Sequence, residues 1–452
     1  MTFRKGFPAA TAVAFLIGIG HLPSQAQELP PGLVSPPAGS RGETVSGGND
    51  NAAGTGIVWN LDNVVEIALS RHPLVGQADA ETAAAVARKG QAKAAYYPTV
   101  RLQSGYSDFA GFSSSSGRNI SVSNIDAEGN VTQVLTDFGR RSAGFRRTDS
   151  LLSASREARR TTRQDVAFQA KVAYFNVLRA GRILAVNRET VSQREAFLRQ
   201  ARAFYEAGIR ARIDVARAEA NVYDARADLT AAENDLRVAR ITLLNRMGVD
   251  GPRDFELVDT LAAEVVLGTI AGWIREAEEN RPELRDLVFQ RLAAEEAVRA
   301  ASADHRPVLS AEGGYGYANE EFPLRKTHII SILFEVPLFT GFLTSERVRE
   351  AEASLSAARH AETDRRRSVR LEVEQASLSV REASERFEAR RKEQEASGEN
   401  LRLARERYKV GAGDIIEMID AQVQMTRSET DVIEALYDSS ISAVTLLRAV
   451  GR

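Results

Sequence analysis

The chain has no cysteine among its 452 residues. That excludes a disulfide, a metal–thiolate site and a lipid-modified cysteine at a processed N-terminus. No segment past the first two dozen residues carries about 18 uninterrupted apolar residues, so no transmembrane helix is expected. Charge of one sign is also lacking. Its 59 basic and 61 acidic side chains leave a formal net charge of −2, which argues against nucleic acid as a partner. The five histidines (His21, His72, His305, His328 and His360) are scattered without metal-ligand spacing. Asp137-Phe138-Gly139 has the letters of a kinase magnesium motif, but no glycine-rich phosphate loop or catalytic-loop signature accompanies it. No catalytic residue, cofactor or metal is therefore expected. Aromatics are few, at 7%, and charged residues make up 27%, which suits a long-helix protein better than a compact enzyme core.

At the start, Arg4 and Lys5 precede a mostly apolar stretch that is too short for a membrane span, and Ser24-Gln25-Ala26 offers a cleavage site before Gln27. Residues 1–26 read as a secretory signal peptide, with a membrane anchor as the alternative. Residues 27–56 are rich in Pro, Gly and Ser and read as a leader without a fold of its own. The mature chain is then periplasmic, secreted, or held in an outer membrane by strands.

Beyond residue 56 the chain reads twice. Pro73 and Pro282, Pro98 and Pro307, and Tyr106 and Tyr315 are each 209 residues apart. Gly139 and Gly341 are 202 apart, and Gly208 and Gly411, like Gly248 and Gly451, are 203 apart. The period is that of a duplicated half-domain rather than a solenoid repeat. The single drop in offset implies a longer connection between the two strands of the first copy. The copies are placed at 57–252 and 253–452.

Each copy opens with a capping residue, Asn60 or Thr269, and a helix that His72-Pro73 or Arg281-Pro282 interrupts. After Pro98 and Pro307 the apolar period changes from helix-like to strand-like. Strand hairpins are expected at about 99–136 and 308–337, with polar connections at 111–118 and 319–325 and returning strands at 124–134 and 326–336. The second returning strand is the clearer, since Ile330, Ile332, Phe334 and Val336 share a face. About ten residues per strand is the length a tilted membrane strand needs, although a small soluble hairpin fits the same letters.

Gly139 and Gly341 then turn strand into helix, and helical hairpins are expected at about 140–247 and 342–450. From Gly139 to Tyr205 there is no proline, which allows about 100 Å of helix at 1.5 Å per residue. The return helix of the first copy places Val215, Ala218, Val222, Ala225, Leu229, Ala232, Leu236, Ala239 and Leu243 at strict 3-4 spacing. The second repeats it with Met418, Ala421, Met425, Ser428, Val432, Ala435, Ser439, Ser442 and Leu446. A 3.5-residue period means a left-handed supercoil. Small residues at alternate seam positions suit a ring of helices with shallow seams, though an ordinary antiparallel bundle satisfies the same period. The tips of both hairpins share chemistry: residues 205–218 read YEAGIRARIDVARA and 408–421 read YKVGAGDIIEMIDA. Gly208, Gly411 and Gly413 mark the turns.

This duplicated order, with Ala94-Ala95-Tyr96-Tyr97-Pro98, with Asp137-Phe138-Gly139 and Leu338-Phe339-Thr340-Gly341 at the strand ends, and with two glycine tips, resembles the TolC family of outer-membrane efflux and secretion channels. The resemblance covers residues 57–451. It implies a mainly α protein with a small β part, assembled as a homotrimer. Four strands from each of three chains would close a 12-stranded transmembrane β-barrel, and the long helices would form an α-barrel across the periplasm. Physics agrees that a chain with only four membrane strands must oligomerise, because open sheet edges are not tolerated in lipid.

The resemblance also places function at the tips. The family's two ring-forming acids fall on Glu417 and Asp420, its tip tyrosine on Tyr408, and its first-copy acid on Asp214. The family's locking arginine falls on Gly413, which has no side chain, so Arg210 or Arg212 is left as the substitute. Implied partners are a periplasmic adaptor, an inner-membrane pump or ABC transporter, and outer-membrane lipid. The expected function is a passive export duct in the outer membrane of a Gram-negative bacterium. A trimeric coiled-coil adhesin or cell-envelope spacer without a conduit is the alternative. The strand hairpins speak against it, since such rods do not need them. The basic run Arg365-Arg366-Arg367 reads as a solvated helix face.

Overall fold

The computed structural model describes residues 57–113, 115, 117–251, 255–259, 268–320 and 322–452. The signal-peptide and leader expectations lie outside the described residues. In chain order the elements are β1 (Ile57–Trp59), α1 (Leu61–Arg71), α2 (Pro73–Ala94), β2 (Thr99–Ser113), β3 (Arg118–Thr136), α3 (Arg140–Glu206) and α4 (Arg212–Met247). There follow β4 (Phe255–Leu257), α5 (Ile270–Asn280), α6 (Pro282–Ala303), β5 (Val308–Asn319), β6 (Arg325–Glu335), α7 (Leu343–Lys409) and α8 (Ile415–Val450). The duplication is visible in the helix lengths. Both copies run 11, 22, 67 and 36 residues.

The first breaks arise as the prolines dictate. Asn60 Oδ1 accepts from Asn63 N at 2.8 Å and starts α1, and Thr269 Oγ1 does the same for α5 from Gly272 N at 3.2 Å. Pro73 and Pro282 then sit at the first positions of α2 and α6, where a missing N–H costs nothing.

The strands form one antiparallel sheet in the order β2-β3-β5-β6, which leaves β2 and β6 as its edges within the chain. Its two faces differ. Val100, Val131, Gly313 and Ile330 lie in one row across the sheet, and Tyr106, Ile125 and Asn319 in another on the same side. On that side Val100, Leu102 and Ile330 are 73%, 79% and 87% exposed. The opposite face carries Gln103, Glu128, Asn130, Asp126 and Glu312 at its centre, with Ile329 and Leu333 on the β6 edge. An exposed apolar face backed by a polar one is the alternation of a membrane strand rather than of a soluble hairpin. The sequence expectation errs on the first hairpin. Its connection, 114–117, is no longer than that of the second, 320–324; the strands themselves are longer, at 15 and 19 residues against 12 and 11. β3 starts at Arg118 rather than near 124, because polar residues on the solvent-compatible face hide its alternation.

Both 3-4 seams are covered. Ala218, Val222, Ala225, Ala232 and Leu243 of α4, and Met418, Ala421, Ser428, Ala435 and Leu446 of α8, are buried. The main core gathers Val64 and Ala68 of α1, Ala170 and Tyr174 of α3, Leu243 and Met247 of α4, Phe255 of β4 and Tyr437 of α8. α4 ends there on Gly248 at φ +67°, and a Cβ on that glycine would come within 2.7 Å of His72 Cα. The end of α4 therefore abuts the α1–α2 break. Gly451, at φ +90°, meets Arg281 in the same way in the second copy.

Candidate functional site: the paired hairpin tips

The strand-to-helix turns come first, because they aim the long helices. Phe138 and Gly139 take φ of +50° and +113°, and Gly341 and Phe342 take +62° and +67°. Asp137 is buried and accepts from Arg141 N at 2.8 Å, capping α3. Arg141 in turn donates to the carbonyls of Val134 at 2.8 Å and Ala95 at 3.1 Å, which ties the helix start to the sheet. The Asp137-Phe138-Gly139 triplet is thus a helix cap.

At the far end each hairpin closes on a left-handed glycine, Gly208 at φ +72° and Gly411 at φ +78°. Ile209 N donates to Phe204 O at 2.9 Å, and Ala412 N donates to Arg407 O at 2.9 Å, so both turns satisfy the last helical carbonyls. Asp414 caps α8. Gly413 is close-packed, since a Cβ there would lie 3.1 Å from Tyr408 N.

The two tips are joined by Tyr408. Its ring is only 1% exposed and packs against Phe197 and Phe204 of α3, 5.2 and 6.1 Å between ring centroids. Arg210, on the other tip, lies over the same ring at 4.7 Å. Its guanidinium donates to Tyr408 O at 3.2 Å and to Gly413 O at 3.0 Å. Arg210, rather than Arg212, therefore makes the cross-tip contact, and Gly413 takes part through its carbonyl. Asp214 is also buried, at 7% exposure. Burial pushes the Tyr408 phenol above its ordinary pKa, and the Asp214 charge adds to that. Among the described residues the phenol hydroxyl has no hydrogen-bond partner.

The two remaining acids are set apart from this cluster. Glu417 is exposed and pairs with Arg407 across its own turn at 2.9 Å, and Asp420 is exposed one turn further along α8. Tyr408, Asp214, Arg210 and Gly413 thus come together inside the hairpin pair, while Glu417 and Asp420 remain at its surface. Sequence reasoning missed the Arg407–Glu417 pair. It also missed the polar layer above the tip, where Asn221 Nδ2 donates to Gln422 Oε1 at 3.3 Å and the hydroxyls of Thr190 and Thr426 meet at 3.3 Å. Asn221 and Gln422 each adjoin a seam position, and that adjacency was the available signal.

A sheet with one lipid-compatible face, continuous with 67-residue helices that end in paired tips, defines an outer-membrane channel protein with a long water-exposed extension. The chain belongs to the outer membrane efflux protein family, whose model matches residues 64–249 and 273–452, one segment per copy. It is 26% identical over 405 residues to protein CyaE of Bordetella pertussis, covering 86% of this chain and 84% of that one. It is 25% identical over 413 residues to the outer membrane protein TolC of Vibrio cholerae, covering 87% and 91%. Among solved structures it superposes on the outer membrane channel CmeC of Campylobacter jejuni with a TM-score of 0.79 at 17% identity, covering 86% of this chain and 85% of that one. The chain is an outer-membrane channel protein of the efflux and secretion type, and the family is one of channels rather than enzymes. The adhesin or spacer alternative falls with that membership.

Proposed function

We infer that three copies close a 12-stranded barrel in the outer membrane and a helical tunnel across the periplasm, forming a passive exit duct. The observation that carries this is the four-stranded sheet, with an exposed apolar face and two edges left unpaired within the chain. In lipid each edge must find a partner, and the opposite edge of another copy supplies one. A periplasmic adaptor and an inner-membrane pump or ABC transporter would deliver cargo and energy.

The gate lies at the tips. Glu417 and Asp420 are exposed and three residues apart on α8, so three copies stack them into two acidic rings that favour cations. Arg210, clasped over Tyr408, holds the two hairpins of each copy together beside those rings.

Single-channel conductance of the purified protein in a planar bilayer tests this reading. Small cation-selective steps are expected from the parent. Larger, unselective steps are expected from Glu417→Ala with Asp420→Ala. Folded, inserted protein that never conducts would overturn the duct, and conductance unchanged by the double substitution would overturn the gate.

A further inference from the structure

The duplication repeats one dipeptide in the outgoing strands, Gly105-Tyr106 in β2 and Gly314-Tyr315 in β5, 209 residues apart. Both tyrosines lie on the apolar face of the sheet and both glycines on the polar one, which a closed barrel turns to its lumen. β3 runs between these two strands, and its acids lean to either side. Asp126 lies over Gly105, where a Cβ would come within 3.1 Å of Asp126 Oδ1. Glu128 and Asn130 lie over Gly314. A Cβ there would overlap Glu128 Oε1 and fall 2.5 Å from Asn130 Oδ1, with Ile329 Cγ2 at 2.8 Å on the far side. Gly314 is buried beneath these side chains.

The glycines of β5 differ in what would have to yield. At Gly316 a Cβ would overlap Ala127 O and fall 2.7 Å from Glu128 Cα, so the close approach of the two backbones requires that glycine. At Gly314 the obstacles are the ends of side chains, and with the sheet behind them they can yield only towards the lumen. Gly313, on the apolar face, has open space at its Cβ position. Arg101 and Arg325 share the polar face, but among the described residues neither pairs with Asp126 or Glu128.

We propose that Gly314 is a positioning residue for transport: it stows the Glu128 carboxylate and the Asn130 amide flat against the barrel wall. Three copies then carry a ring of carboxylates that attracts cations without narrowing the bore. This rests on the trimeric duct reading and adds the residue that sets the width and selectivity of its membrane part. A side chain at Gly314 lifts both groups towards the axis in every copy. The carboxylates approach one another and the path of the ion, so the bore shrinks and cation preference grows together.

The test uses the full-length protein with Arg210→Ala in every sample, which opens the tips. Planar-bilayer conductance with neutral polyethylene glycols of graded size reads the bore, and the reversal potential in a potassium chloride gradient reads selectivity. Gly314→Ala is expected to lower unitary conductance about twofold, to exclude smaller polymers and to raise the preference for potassium over chloride. Adding Glu128→Gln should abolish the gain in selectivity and keep the narrowing. Adding Glu128→Ala with Asn130→Ala should relieve the narrowing. Gly313→Ala should match the parent. Gly314→Ala that conducts and selects like Gly313→Ala overturns the proposal. Narrowing that the two alanines do not relieve also overturns it, because Gly314 would then act through the strand pairing alone. Should Gly314→Ala fail to reach the outer membrane, the same two alanines are expected to restore its amount, and failure to do so overturns the proposal. Protein that inserts with glycine at 314 and never conducts overturns the duct reading itself.

Discussion

At the scale of single residues, one arginine and one glutamate have clear consequences. Arg210 makes two charged hydrogen bonds and a ring contact to the opposite tip. Such bonds are worth about 1.5–3 kcal/mol each where they are shielded from water. Arg210→Ala is therefore expected to raise the open fraction of single channels at least tenfold. Arg210→Lys should recover only part of the closure, because an ammonium lacks the planar guanidinium that lies over the Tyr408 ring. Glu283 shows the other kind of dependence. It accepts from Arg448 at 2.8 Å and Arg281 at 3.2 Å, and Arg281 is wholly buried. Burial pushes its pKa up, but the two guanidiniums outweigh it and hold the carboxyl at about 2. A depressed folded-state pKa means stability that is present above the ordinary value of 4.5 and lost as pH falls towards 2. Glu283→Gln is expected to lose about 2 kcal/mol at pH 7, discounted for the partial exposure of the group. Unfolding midpoints of parent and variant should converge between pH 4.5 and 2. A gap that stays constant with pH would show that Glu283 stabilises through packing alone. The Arg365-Arg366-Arg367 run, read from sequence as a solvated face, is partly drawn into this network, since Arg365 pairs with Glu372 at 2.8 Å. Nothing in the local sequence announces that Glu283, some eighty residues away, is part of the same cluster.

At the scale of elements, what was legible depended on whether the signal was periodic. Prolines, capping residues and 3-4 seams placed the helices, because each acts through its immediate neighbours. The seams hold without an exposed member: Val215, Leu229, Leu236 and Ala239 of α4 and Met425, Val432, Ser439 and Ser442 of α8 are half-buried, and the rest are buried. The β2–β3 hairpin was misjudged for the converse reason. Its barrel-inward face is polar and its outward face is punctuated by Gly129, Ala127 and Ser123, so alternation is faint in the letters although the pairing is continuous over fifteen residues. The tips were half legible. Glycines marked the turns, but the burial of Tyr408 and the clasp by Arg210 depend on how two distant hairpins meet. Glycines also separate two kinds of turn. Gly208 has open space around its Cβ position, so Gly208→Ala should cost only the left-handed strain of about 1 kcal/mol. Gly248 faces His72 Cα, which cannot yield like a side chain, and Gly248→Ala should cost about 3 kcal/mol or more. Urea unfolding of both variants compares them, and equal losses would mean that the α4 end is not seated on the α1–α2 break in solution.

At the scale of the whole molecule, one chain carries two solvents' worth of surface. The helices are charged throughout, and among the described residues none is long and apolar enough to cross a membrane. The sheet inverts this, with its most exposed apolar side chains, among them Val100, Leu102, Ile330 and Ile332, on one face. A substitution should therefore be judged by its face rather than its depth in the sequence. Ile330 is 87% exposed and shares its row with Val100 and Val131. Placing lysine there puts a charge into hydrocarbon, at a cost of about 2–4 kcal/mol per chain at mid-bilayer. In the proposed trimer the cost is tripled, which exceeds what most assemblies can spare. Glu128 lies on the opposite face beside Gln103 and Gly316. Glu128→Lys should leave insertion intact and shift ion selectivity towards anions, since that face lines the lumen of a closed barrel. Membrane fractionation followed by reversal-potential measurement reads both variants. The expected result is loss of Ile330→Lys from the outer-membrane fraction and normal amounts of a less cation-selective Glu128→Lys. If Ile330→Lys inserts normally while Glu128→Lys does not, the sheet faces lipid with its other side, and the lumen must be drawn from Ile330, Val100 and Tyr106 instead.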